Sequence, residues 1–338
     1  MLSRHAAIAL FAVSSAVPLS ASAHGESVRG VGGAGVNTLG GEPSTGASVY
    51  LRYDLRSYSL FSDEELLAWQ RDGENVHQHS REHTVFLGAT FGFLTNFDLS
   101  VLLQANRFEN FTDNGDAYAL ASGRLSRTTI SQGLGDLLLL GRYMFFHVSE
   151  QHFSVIGGLK LPTGDVRQRT NQGDLVGTHN QPGSGSVDFQ LGVAYAGEFG
   201  KYVFVTADAL VRVNTEGAGS FRSGNSIQAD LAVGTRLWVL FPSVELNGFF
   251  QQQDIENNEI KKNSGVYSVF VTPALRASFG HHSLFAAVSL PMVQAFERGV
   301  ISNVEQFRVS AGYSVSFGGE EGHEAHPPPP APPAGGAI

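Results

Sequence analysis

The chain has 338 residues, 22 Lys+Arg against 31 Asp+Glu for a formal net charge of −9, and no cysteine. The acidic balance excludes nucleic acid as a partner and offers no basic patch to anionic lipid. Without cysteine there is neither a disulfide framework nor a lipid-anchored amino terminus.

Met1-Leu2-Ser3-Arg4, an apolar run from Ala6 to Val17 and then Ala21-Ser22-Ala23 read as a secretory signal peptide over 1–23. Removing it takes Lys+Arg from 22 to 21 against 31 acids, a mature charge of −10. The run is too short to span a bilayer, and no later stretch reaches about 18 consecutive apolar residues. Residues 24–45, rich in glycine (Gly30, Gly32, Gly33, Gly35), read as a flexible periplasmic leader.

From about residue 47 the pattern changes to alternation. Ile227, Ala229, Leu231 and Val233 share one face of an extended segment, while Gln228, Asp230, Ala232 and Gly234 share the other. The chain turns near Phe241-Pro242 and returns as Val244, Leu246, Gly248 and Phe250 against Glu245, Asn247 and Gln251. Twelve such segments are predicted, near 47–60, 83–95, 97–111, 134–148, 152–165, 186–199, 202–214, 226–240, 243–254, 265–279, 283–296 and 303–317. Each reaches the length of about 9–11 residues that a tilted transmembrane strand needs. Too few helices exist to cover so many apolar faces with a second protein layer. The fold class expected is therefore all-β: a transmembrane antiparallel up-and-down β-barrel over 46–317, of outer-membrane type, greasy outside and polar inside.

The connections support this. Thr95-Asn96, Ser149-Glu150-Gln151, Gly200-Lys201, Phe241-Pro242 and Gly280-His281-His282 are tight, and they alternate with longer polar stretches at 61–82, 112–133, 166–185, 215–225, 255–264 and 297–302. Short periplasmic turns and long outer loops make this pattern, which puts the protein in the bacterial outer membrane, and the even strand count puts both termini on the periplasmic side. The last strand runs from Phe307 to Phe317 and ends on an aromatic, as a closing strand read by the outer-membrane assembly machinery does. Residues 318–338, with His323, His326 and Pro327 to Pro330, read as a disordered periplasmic tail that either spaces or docks a periplasmic partner.

Gly133-Leu134-Gly135-Asp136 with Leu137 to Tyr143, then Leu159-Lys160-Leu161-Pro162-Thr163-Gly164-Asp165, then Gln181 to Asp188 form three short motifs in fixed order. Over 133–192 the chain resembles the "meta-pathway of phenol degradation" family of outer-membrane transporters. The resemblance implies a barrel that passes small aromatic or hydrophobic compounds. Loop 166–185 carries Asp165, Arg167, Arg169, Asp174 and His179 and either folds over the mouth or stays solvated.

By parity the inward-facing set includes Arg52, Asp98, Gln104, Arg142, Lys160, Asp188, Glu198, Asp208, Arg212, Asp230, Arg236, Glu245 and Arg308. Charges of both signs either line a narrow water-filled pore or pair across the lumen and fill it. His77, His79 and His83, with Glu82, and His24 at the mature amino terminus are candidate metal ligands, against the alternative of a polar loop that happens to be His-rich. No Gly-x-Ser-x-Gly, His-Glu-x-x-His or phosphate-binding loop is present, so neither an enzyme nor a cofactor is expected. The leading expectation is passive uptake of a small molecule across outer-membrane lipid. The other is a structural or metal-binding barrel with a filled lumen.

Overall fold

The computed structural model describes residues 37–39, 46–74, 76–177, 180–200, 202–261, 264–296 and 302–317. The expected signal peptide, most of the leader with His24, His179, and the tail with its prolines lie outside the described residues.

Twelve antiparallel strands close into a barrel: β1 (Gly46–Tyr58), β2 (Arg81–Leu94), β3 (Phe97–Asp113), β4 in two segments (Ser126–Leu134 and Leu137–Val148), β5 (Gln151–Leu161), β6 (Asp188–Phe199), β7 (Val203–Val213), β8 (Ser226–Thr235), β9 (Leu240–Gln251), β10 (Val266–Phe279), β11 (His282–Phe296) and β12 (Glu305–Phe317). Neighbours in sequence are neighbours in the wall, and β12 pairs with β1 from Ala47↔Phe317 to Tyr58↔Glu305. That last pairing leaves the wall without an unsatisfied edge, which hydrocarbon could not solvate. It also sets residues 47 and 317 at the end where the tight turns lie.

Alternation decides which side each residue faces, and the outcome inverts that of a soluble protein. Leu51, Leu191 and Val244 point outward at 50%, 68% and 55% exposure, while Arg52 and Glu245 point inward at 1% and 0%. The inner wall is close-packed in places. A Cβ on Gly88 would lie 2.1 Å from the Tyr50 ring, so the missing side chain makes room for the inward tyrosine one strand away.

Three expectations need correction. The turn between β8 and β9 is Arg236 to Val239, with Trp238 at φ 59°; Phe241 and Pro242 lie inside β9 opposite Arg276 and Leu275. Proline is tolerated there because the β8 ladder has already ended at Gly234↔Ser243. Next, the stretch 112–133 is not an irregular loop. β3 runs on to Asp113, helix α2 (Ala117–Ser122) follows, and β4 begins at Ser126, eight residues earlier than the periodicity at 134 suggests. Gly135 and Asp136 interrupt β4, and that break hides its first segment from a parity search. Finally, the loop after β1 holds helix α1 (Asp63–Arg71), begun by a capping box in which Ser62 and Glu65 bond reciprocally. Asn114 ties the two helical loops together: its amide donates to the Leu66 carbonyl at 2.8 Å and accepts the Val76 N–H at 2.7 Å.

Candidate functional site

Because strands of one parity all face inward, the ionisable residues of the wall meet in the lumen and pair there. Arg52 grips Asp54 two residues along β1 at 2.7 Å. Arg56 binds both oxygens of Glu82 at 2.9 Å, and Tyr58 donates to the same carboxylate at 3.0 Å. Arg142 of β4 pairs with Asp98 of β3, and Arg308 pairs with Glu305 at 2.9 Å. All of these side chains are almost wholly enclosed, so their mutual pairing is what makes the burial of so much charge tolerable.

One of these nodes gathers the three motifs. Asp136, at the break in β4, accepts N–H bonds from Gly164 and Ser184 at 2.9 Å each and a hydroxyl from Ser184 at 2.5 Å. Lys160 lies 3.3 Å from Asp136 and 2.6 Å from Asp188. The loop can come this close only because Gly164 and Gly183 meet back to back; a Cβ on either would sit 2.6 Å from the other's backbone. Asn106 of β3 donates to the Pro182 carbonyl at 3.2 Å, and Asn180 to Gly183 are buried. The distal part of loop 166–185 is thus drawn in against the wall.

Residues 37–39 cross the lumen. The Asn37 backbone N–H donates to Glu245 at 3.0 Å, its side-chain Nδ2 donates to Asn247 at 3.2 Å, and its side-chain Oδ1 accepts from Arg52 at 2.9 Å. The Thr38 and Thr206 hydroxyls are 2.8 Å apart. Leu39 donates its N–H to Asp208 at 2.8 Å, and its carbonyl accepts from Arg142 at 2.7 Å. A segment expected as part of a periplasmic leader is therefore fastened to β1, β4, β7 and β9 inside the barrel. Around the Leu39 side chain the inner wall is apolar: Tyr50, Phe86, Leu102, Leu138, Leu140, Ile156, Ala194 and Leu210 form one buried cluster with it.

Of the residues proposed to line the lumen, Arg52, Asp98, Gln104, Arg142, Lys160, Asp188, Asp208, Asp230, Glu245 and Arg308 are buried on the inner wall. Arg212 is half-buried near its upper edge, opposite Gln190 and Ser226. Arg236 lies beyond the end of β8 and reaches Glu198 at 2.7 Å, so the two form a half-exposed pair at the turn end. Parity missed Arg56, Glu82 and Glu305, although Arg56 shares the face of Arg52 and was legible. The inward phase of Leu140, Leu102 and Leu210 was legible too, from Arg142, Gln104 and Asp208 two residues away; that they meet in one cluster was not, because that depends on register.

The histidines do not assemble. His79 is enclosed between the rings of Tyr58 and Phe108, at 4.5 and 5.5 Å, and burial pushes its imidazole down to about 4. His83 faces the opposite way, into a shallow hollow of about 730 Å³ in the outer wall, bonded to the Tyr53 hydroxyl at 2.7 Å. His77 sits beside Phe111, ring centroids 6.1 Å apart. The bend between Gln78 and Arg81 breaks the parity that would have put His77 and His79 on one face with His83. Among the described residues no group of three His, Cys, Asp or Glu could hold a metal.

Residues 73–291 match the family described as "Putative MetA-pathway of phenol degradation". No curated protein matches the sequence. Among solved structures the chain is similar to a COG4313 outer membrane channel from Pseudomonas putida F1, with a TM-score of 0.56 at 15% identity, covering 82% of this chain and 98% of that one. The KdgM porin (0.43, 9% identity, 80% and 99% covered) and a TodX deltaS2S3 mutant monoaromatic hydrocarbon channel (0.43, 8%, 81% and 91%) are more distant and add no weight. At such identity the likeness speaks for the fold, an outer-membrane barrel. The family match spans well over half of the chain and includes every residue of the Asp136 node. The protein belongs to the family described as "Putative MetA-pathway of phenol degradation", folded as a twelve-strand outer-membrane β-barrel.

Proposed function

We propose that the protein is a passive outer-membrane channel for small apolar or aromatic molecules, taken from outside to periplasm. The observation that carries this reading is the apolar patch around Leu39. A lumen built to filter ions would leave its charges facing water. Here the charges are engaged with one another and with residues 37–39, and a continuous inner strip on β1 to β7 is apolar. Leu39 occupies that strip as an apolar guest would, so displacement of the segment exposes a surface matched to an oily solute. No energy source or cofactor enters the scheme, and no catalytic constellation is invoked. Export by a signal peptide over 1–23 and folding through the assembly machinery that reads β12 complete the proposal.

Uptake of a labelled monoaromatic by cells lacking or carrying the protein tests it, with Ile156→Glu and Leu140→Glu as variants. Wild type should speed uptake and both variants should lose that gain, while liposome swelling with graded sugars stays slow. Fast sugar permeation without aromatic uptake would defeat the reading. A second reading, a barrel whose filled lumen passes nothing, is favoured by the same inserted segment. It predicts neither uptake nor swelling.

A further inference from the structure

The turn between β4 and β5 brings together three side chains that the channel reading does not use. Along β4, even residues face the lumen as far as Arg142 and Met144. The pairing then slips between Met144 and Phe146, Met144 opposing Ser154 and Phe146 opposing Phe153. This bulge reverses the parity, so the odd residue His147 comes to the same face as Met144, directly opposite His152. Phe146 and Phe153 pair on the other face, with ring centroids 5.7 Å apart.

The two imidazoles lie nearly parallel, at 17° with centroids 4.8 Å apart. His152 Nδ1 is 3.4 Å from the Met144 sulfur. Ligands at about 2.0 Å (nitrogen) and about 2.3 Å (sulfur) from one ion, roughly 105° apart, are separated by about 3.4 Å. The observed spacing, a hydrogen-bond contact between the two side chains, is also compatible with the bite of a shared metal. Two borderline nitrogens and one soft thioether suit copper(I) rather than zinc or a hard cation. His147 is exposed and His152 and Met144 are half-buried, at the periplasmic end of the lumen, so an ion has access. We propose that Met144, His147 and His152 form a copper(I) site at the periplasmic mouth of the barrel.

The test uses the untagged mature protein in detergent, titrated anaerobically with copper(I) against a chromophoric chelator, with X-ray absorption on the loaded sample. One equivalent should bind with a sulfur scatterer in the shell. His147→Ala/His152→Ala should weaken binding by about tenfold or more, and Met144→Leu should remove the sulfur signal. Mutation of the other adjacent pair, His281→Ala/His282→Ala, should change neither. Heat-modifiable gel mobility reports that each variant is folded, and the conservative Met144→Leu carries the test should the double variant fail to fold. Absence of binding, binding unchanged in the histidine variant, or a shell without sulfur would overturn the site.

Discussion

Asp136 shows how much one carboxylate can organise. It holds the backbone of Gly164 and Ser184, the Ser184 hydroxyl and Lys160; the carboxylate and Lys160 are buried, the two loop residues half-buried. Asp136→Ala removes one acidic partner of Lys160, with Asp188 remaining, and frees the distal part of loop 166–185. We expect a loss of about 3 kcal/mol of stability, the scale for breaking a buried ion pair, seen as a lower unfolding temperature and new proteolysis within the loop. The exposed pair Arg127–Asp63 provides the contrast: at 2.5 Å it is short, but both side chains are more than half exposed. Arg127→Ala should cost less than about 1 kcal/mol. Gly183→Ala, by contrast, forces backbone apart from backbone and should destabilise by about 1–3 kcal/mol in the same assays.

Among elements, the outer loops are built rather than slack. After β9 the chain passes Asp254, whose carboxylate accepts the Gly224 N–H at 2.7 Å and the Gln251 amide at 3.0 Å. Burial pushes this carboxyl up to about 6, against the opposing effect of those hydrogen bonds. When the loop opens, its affinity for the proton falls to the ordinary carboxylate range, near 3.8. The closed loop therefore binds a proton that the open loop releases. Closure is favoured below about pH 4, loses ground as pH rises toward 6, and changes little beyond; about two pKa units set a ceiling near 3 kcal/mol. Hydrogen exchange of 220–226 and 252–261, corrected for intrinsic rates, should be faster at pH 7.5 than at pH 4.5. Asp254→Asn should flatten that difference, and a wild-type profile independent of pH would remove the argument. The short elements here, α1 among them, show what the alternation obscured. Ser62 and Glu65 announce a helix by their spacing, but nine residues between two long strands carry too little periodicity to stand out. The start of β4 was lost for a different reason: Gly135-Asp136 breaks its parity, so Ser126 to Leu134 reads as loop.

At the scale of the whole molecule, strand number, closure and the inward charges were legible because a period of two has only two possible phases, and lipid selects one. What the inner wall does was not legible. The apolar strip from Tyr50 to Leu210 and the seat of Leu39 depend on how twelve separate registers align, and no single segment records that. Residues 37–39 are tied across the lumen to Glu245, Asp208, Arg52 and Arg142, and on the proposed channel reading they narrow the passage until they are displaced. Planar-bilayer conductance of the mature protein, set against a form lacking residues 24–39 and shown by heat-modifiable mobility to be folded, measures this directly. The account predicts a distinctly larger unitary conductance for the shortened protein; equal conductance in the two forms would contradict it.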